Sequence, residues 1–210
     1  MKITVIGAGN MGAAFVKQLT RAGHQVSVTA RDAAKAAQVA AANPGAKAVP
    51  AAGSAEGADS VVLATGYADA AAALRGAGNL AGKVVIDITN PLTTDYMGLT
   101  LGHATSAAEE IAKSVPGAEV VKAFNTVFAQ VLGEGADFGG GRKVEVFVAS
   151  DSKRAKQSAR AIAESIGFAA VDAGPLKNAR YLEPLAGLNI YLGYGAGLGT
   201  AIAPVWIRKA

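Results

Sequence analysis

The chain has 210 residues, 51% apolar and 17% charged, a balance that can bury a sizeable core and excludes an intrinsically disordered segment. It has no cysteine, which excludes disulfides, thiolate metal sites and a cysteine nucleophile; with two histidines, His24 and His103, a histidine-rich metal centre is not expected. The net charge of +4 is scattered without a basic run, so a nucleic-acid partner is not expected.

The length fits one large domain or a domain with a small appendage. Met1-Lys2 leads straight into an apolar strand, without the pattern of a signal peptide, and a reducing cytoplasmic location is the simplest expectation. Residues 185–207 carry no charge and are long enough to span a bilayer. Five glycines, Asn189 and Pro204 dilute that stretch, so a buried helix followed by a loop is expected instead of a membrane span.

Residues 2–6 read as a short apolar strand that runs directly into Gly7-Ala8-Gly9-Asn10-Met11-Gly12, and a helix is expected from Asn10 to Arg21. A strand before G-x-G-x-x-G and a helix after it is the context that a dinucleotide site requires. Gly7 permits the tight turn, Gly9 lets a pyrophosphate approach the backbone, and Gly12 lets helix and strand pack closely. The free N–H groups at the helix start then bind the phosphates, with Asn10 and Met11 beside them.

Gln25 to Thr29 alternates as a second strand, followed by an alanine-rich helix over 32–42 and a short third strand over 46–49. Residues 59–65 and 83–88 are continuous apolar runs, the pattern of strands buried on both faces, and 68–74 is helical between them. Ser106-Ala-Ala-Glu109 is a capping box for a helix to about Ser114. Beyond it come a strand over 119–123, a segment starting at Asn125, a glycine-rich loop over 133–141, a strand over 143–149, a helix over 152–165 and a last strand over 168–172. Pro175 marks the exit to a C-terminal helical piece. The alternation predicts an α/β fold: a Rossmann-type, doubly wound, mainly parallel sheet with a small helical C-terminal domain.

Ligands of such sheets lie beyond the carboxyl ends of the strands. At the second of these ends an NAD enzyme usually carries an acid, whereas here Ala30 is followed by Arg31, with Lys35 one helical turn on. A guanidinium matches the 2′-phosphate of NADP in charge and planarity, so NADP(H) is the expected nucleotide, and Asp32 is left to cap the next helix. The remaining ends are Ala64-Thr65-Gly66-Tyr67 and Thr89 to Leu92. Tyr67 reads equally as a cofactor neighbour or as an ordinary aromatic at a helix start, and Asn90 with Pro91 as contacts to nicotinamide or ribose. Asp87 reads as a buried, hydrogen-bonded structural acid, Lys122 as a snorkelling lysine or a contact to an anionic substrate, His24 as structural, and His103 as a loop residue that can border the pocket.

The Gly7–Gly12 turn, Arg31 with Lys35, Asp87-Ile-Thr-Asn-Pro-Leu92, Thr105-Ser-Ala-Ala-Glu-Glu110, Val121-Lys-Ala-Phe-Asn-Thr126 and Asp172-Ala-Gly-Pro-Leu176, in this order, resemble the coenzyme F420-dependent NADP oxidoreductase family over essentially the whole length. The cytosolic domain of the six-transmembrane metalloreductases is similar over the same span. The resemblance implies an NADP-binding domain over 1–174, with its nucleotide motifs within 1–125, and a C-terminal segment over 175–210 that completes the cleft and the interface of a homodimer. It implies hydride transfer from NADPH to F420 or to a flavin such as FMN or FAD, with no catalytic acid or base required. The segment Asn125, Thr126, Val127, Phe128 would line the acceptor pocket, and a backbone group near Ala129 would hold the nicotinamide amide. Two departures fall in that pocket: archaeal members tend to have histidine at the place of Asn125 and a Pro-Trp-like pair at the place of Gly66-Tyr67. Reduction of a small imine, ketone or hydroxy acid, and a non-catalytic NADPH sensor, are the alternative functions. Against the former stands the short tail after Pro175, in which Lys177 is followed by residues 178–184 without the helix of a catalytic lysine.

Overall fold

A computed structural model of the chain describes residues 1–207 and Lys209. Six parallel strands form the main sheet in the order β3-β2-β1-β4-β5-β6: β1 (Lys2–Ile6), β2 (Gln25–Thr29), β3 (Ala46–Ala48), β4 (Ser60–Leu63), β5 (Val84–Asp87) and β6 (Glu119–Lys122). This is the doubly wound order, with its reversal between β1 and β4. The helices between them are α1 (Asn10–Arg21), α2 (Ala33–Ala41), α3 (Tyr67–Gly76) and α4 (Ala107–Ser114). β4 and β5 are buried along their whole length, as their unbroken apolar runs require.

Two of the helix starts follow directly from side-chain chemistry. Asp32 Oδ1 accepts from the N–H groups of Ala34 and Lys35 at 3.0 and 3.4 Å, and Ser106 Oγ accepts from Glu109 N–H at 3.2 Å while donating to the Glu109 carboxylate at 2.7 Å.

Past β6 the chain forms α5 (Ala129–Glu134), β7 (Glu145–Val148), α6 (Lys153–Ser165), β8 (Ala169–Asp172), a 3-10 turn (Leu176–Asn178) and α7 (Ala179–Ile190). β7 and β8 are parallel to each other, and reciprocal backbone hydrogen bonds of 2.9 and 3.0 Å between Lys122 and Ala149 attach β7 antiparallel to the end of β6. The expected loop over 133–141 begins two residues late, because α5 continues through Gly133, whose carbonyl accepts from Lys17 Nζ and Gln18 Nε2 of α1.

α7 is longer than the sequence suggests. Pro184 lies inside it, and the helix begins immediately after the turn that holds Lys177. Proline removes one helical hydrogen bond, but Pro184 itself is exposed, and tertiary packing of the buried face of the helix carries it past the proline. No helix among the described residues is long and apolar enough to cross a membrane.

What fastens α7 to the sheet is an ion cluster. Lys122 is fully buried at the end of β6, and its ammonium donates to Asp87 Oδ2 at 2.7 Å and Thr89 O at 2.7 Å and meets Glu183 Oε1 of α7 at 2.8 Å. Asp87 and Glu183 are buried too; Asp87 also accepts from Thr89 N–H at 2.8 Å, and Glu183 from the N–H groups of Ala107 and Ala108 at 2.9 and 3.1 Å. Lys122 therefore neither snorkels nor reaches a substrate, because two carboxylates are built around it. Burial opposes its charge, yet the two carboxylates outweigh burial and raise its pKa, so it stays an ammonium. Arg180 adds a second clamp through a two-pronged contact to Glu109 of α4 at 2.6 and 2.9 Å.

Lys122→Met is expected to lower unfolding free energy by about 3–5 kcal/mol, because it strands two buried carboxylates. Urea unfolding measures the loss, and the triple variant that also carries Asp87→Asn and Glu183→Gln should recover part of it.

Candidate functional site

The glycine turn works by sterics that can be measured. Gly7 has φ +120°, donates its N–H to Thr29 O at 2.8 Å, and a Cβ there would lie 2.2 Å from Ala64 O. A Cβ on Gly12 would lie 1.9 Å from Gly7 O. Gly9 is different: it caps α1 with an extended backbone, φ −79° and ψ −171°, and nothing lies within 4 Å of where its Cβ would be. Two glycines are thus consumed by packing, while the third leaves open space over a helix start. Ala13 N–H is the first amide to bond back to Gly9 O, so the amides ahead of it have no helical acceptor. Free N–H groups, a positive helix end and a missing side chain together fit a pyrophosphate.

Arg31 leaves the end of β2 with its side chain 90% exposed, 3.5 Å from Asp69 of α3; so exposed a pair contributes little stability and leaves the guanidinium available. Lys35 is exposed on α2, and the Asp32 carboxylate is engaged in capping that helix. These features fit the phosphorylated nucleotide.

From Asn10 and Met11 a cleft of about 650 Å³ runs along the strand ends towards α7. Asn90, Asn125, Thr126, Val127, Phe128 and Ala129 form its wall. Phe124 turns the chain into this wall with φ +62°, an uncommon conformation for a bulky residue that costs of order 1–3 kcal/mol. Its buried ring is held edge-on against Phe15 at 5.0 Å and Phe168 at 6.2 Å.

The asparagines are committed to one another. Asn125 Nδ2 donates to Leu182 O at 2.8 Å and Asn90 Oδ1 at 3.1 Å, Asn90 Nδ2 donates to Asn125 O at 2.9 Å, and Asn189 Nδ2 of α7 donates to Thr126 O at 3.1 Å. Asn125 thus clips the segment after β6 to α7.

Other expected residues lie away from the cleft. Ala64 and Thr65 form the floor beneath Gly7, and Gly66 caps α3. Tyr67 packs partly buried on the core under α3 and α4; burial, with Glu110, Glu183 and Asp87 nearby, raises its pKa. Pro91 shapes the wall through its carbonyl, which accepts from Thr100 N–H at 2.7 Å. His24 bridges the N-terminal amine at 3.3 Å and Ser165 Oγ at 2.9 Å, a structural role. His103 borders a separate surface hollow with Lys177 and Arg180.

The outer wall was not visible in the sequence. Asp95, Tyr96 and Met97 lie at the tip of a hairpin closed by the Leu92–Leu99 bridge, and Ala186, Ile190 and Tyr194 face the cleft from α7 and the turn after it. Phe128 and Tyr194 pack edge to face at 5.8 Å. Helical spacing alone could have suggested Ala186, Asn189 and Ile190 as one face of a helix; no spacing signals the hairpin.

Several known proteins resemble this chain. Residues 2–91 match the family described as NADP oxidoreductase, coenzyme F420-dependent. An F420-dependent NADP reductase of Methanothermobacter marburgensis is 32% identical, covering 91% of this chain and 92% of that protein. The rat metalloreductase STEAP3 is 35% identical over 52% of this chain, which spans only 21% of STEAP3. A solved structure of a proposed F420-dependent NADP-reductase from Arthrobacter sp. FB24 superposes with a TM-score of 0.88 at 33% identity, covering 99% of this chain and all of that one. A reductive aminase from Aspergillus terreus, solved with NADPH, shares the fold, with a TM-score of 0.68 at 20% identity over 93% of this chain and 63% of that one.

Gly9→Ala and Gly12→Ala should separate the two uses of glycine. Gly9→Ala is expected to keep thermal stability within about 0.5 kcal/mol of the parent, since its backbone is extended and its surroundings open, while weakening NADPH binding at least tenfold by calorimetry. Gly12→Ala should instead fail to fold or melt far lower.

The chain belongs to the F420-dependent NADP reductase family of NADP oxidoreductases.

Proposed function

We propose that the protein transfers a hydride from NADPH to a flat deazaflavin- or flavin-type acceptor held in the cleft between the strand ends and α7. The observation that carries this reading is the continuity of one cleft, from the open amides at Gly9 and Asn10 to the aromatic pair Phe128 and Tyr194. Bound NADPH supplies a hydride from its nicotinamide; the acceptor takes that hydride and a proton from solvent, and NADP⁺ remains. The chain's own part is positional. The amides at the start of α1 hold the pyrophosphate, Arg31 and Lys35 the 2′-phosphate, and the 125–129 wall with the start of α5 orients the nicotinamide. α7 closes the far side and excludes water, which is what hydride transfer between two rings asks of a protein.

Support for an acceptor ring comes from the aromatic side chains in the lining, Tyr96 and the edge-to-face pair Phe128 and Tyr194, which offer flat faces to a ring. Stopped-flow absorbance with NADPH against F420, riboflavin and FMN tests the reading. Rapid bleaching of NADPH by one of these acceptors is expected, and turnover of imines alone would overturn it. Arg31→Ala should weaken NADPH at least tenfold more than NADH; equal weakening would reassign the end of β2.

The protein is also read as a homodimer. Tyr181 and Leu188 of α7 and Tyr191 just past its end are exposed, an apolar stripe of the kind that a second copy covers. Leu188→Glu is expected to convert a dimer to a monomer in light scattering.

A further inference from the structure

The ion cluster that docks α7 carries an unbalanced charge. One ammonium, Lys122, stands against two carboxylates, Asp87 and Glu183, and no side chain of the three is more than 2% exposed. The neighbouring ion pairs close on themselves, Arg180 with Glu109 and Lys113 with Glu110. The amides of Ala107 and Ala108 at the positive end of α4 meet Glu183, and a helix end offsets about half a unit of charge. A net negative charge therefore remains in the core.

That charge lies directly behind the inner wall of the cleft. Ile88, which lines the cleft, is the residue after Asp87. Asn90, also in the lining, follows Thr89, whose carbonyl accepts from Lys122. From the other side Asn125 lines the cleft and donates to the carbonyl of Leu182, the residue before Glu183. Ile88, Phe124 and Asn125 are themselves buried, so solvent and salt screen the cluster far less than they screen a surface charge. Among the described residues no lysine, arginine or histidine lines the cleft to oppose it. A neighbouring group registers the sign: burial raises the pKa of Tyr67, and Glu110, Glu183 and Asp87 add to that rise against the opposing effect of Lys122.

A nicotinamide ring is neutral in NADPH and positively charged in NADP⁺, so hydride loss places a new unit of charge on the ring itself. A fixed charge of opposite sign behind the wall stabilises that charge as it develops, without reorganisation. We propose that the buried cluster of Asp87, Lys122 and Glu183, through its net negative charge, shifts the balance of bound nucleotide toward NADP⁺ and so makes NADPH a stronger hydride donor in the cleft. The inference rests on the reading that the 125–129 wall orients the nicotinamide. None of the three side chains lines the cleft; they act through the wall. One buried unit of charge at that remove changes an equilibrium constant about three- to tenfold.

The test is the ratio of the dissociation constants of NADP⁺ and NADPH, measured by calorimetry on the full chain. 2′-Phospho-ADP-ribose, which lacks the nicotinamide, is the control. Glu183→Gln removes one negative charge and keeps an oxygen for the α4 amides. It should shift the ratio about three- to tenfold toward NADPH and leave the affinity for the control unchanged. Glu183→Asp keeps the charge, and it should lower the melting temperature without moving the ratio. The triple variant Lys122→Met, Asp87→Asn, Glu183→Gln brings the cluster to zero net charge and strands no ion. It should give the same shift, and it supplies the reading if Glu183→Gln does not fold. A parental ratio in a folded neutral variant, or an equal shift from Glu183→Asp, overturns the inference alone. If NADP⁺, NADPH and the control bind the parent equally, the wall does not hold the nicotinamide, and that reading falls together with the inference.

Discussion

The fully buried ammonium of Lys122 is the point on which the rest of the architecture depends. Asp87 comes from β5, Lys122 from β6 and Glu183 from α7, and Glu183 in turn occupies the amides at the start of α4. Removing three charges from water costs more than most single contacts return, so such a cluster is weak evidence for extra stability. Its effect is directional. An ammonium with three acceptors in place leaves α7 one way to dock, and the cleft wall on α7 inherits that orientation. The Asn125–Leu182 and Asn189–Thr126 hydrogen bonds lie on either side of Glu183 along the same helix and extend the alignment towards the cleft.

The nucleotide end is governed by sterics instead of charge. Gly7 and Gly12 exist so that β1, α1 and the Ala64 carbonyl can approach closer than any side chain allows, and Gly9 so that nothing fills the space above the helix start. Exposed features there, such as Arg31, are free to move because little else depends on them. The site thus combines a rigid, backbone-lined cradle with a far wall assembled from three separate pieces of chain.

The far wall is built on different terms. Asn125 is engaged with α7 and Asn90, so a change at this position alters the docking of a helix as well as the surface presented to the acceptor. The hairpin over 92–99 adds chemistry of its own, with an aromatic and a thioether side chain beside a carboxylate. Divergence in acceptor is therefore expected to collect at these two places while the cradle stays unchanged.

The sequence by itself determined the doubly wound sheet, because unbroken apolar runs in β4 and β5 and the alternating helices have no other economical arrangement. It also determined the glycine cradle, whose requirements are local: a strand, a positive φ and a helix start within a dozen residues. Asp32 as a cap and the Ser106–Glu109 box were legible for the same reason. Asp87 was readable as a buried acid, but its partner was not: Lys122 looked like a snorkelling residue because its compensating charges lie 35 and 61 positions away in the chain. The same distance hid α7, where Pro184 argues locally for a break and burial of Ala179, Leu182, Glu183, Ala186 and Asn189 keeps the helix whole. The outer wall was decided by tertiary structure alone, since a hairpin without secondary-structure periodicity and one face of a distant helix become neighbours only when the ion cluster brings them together.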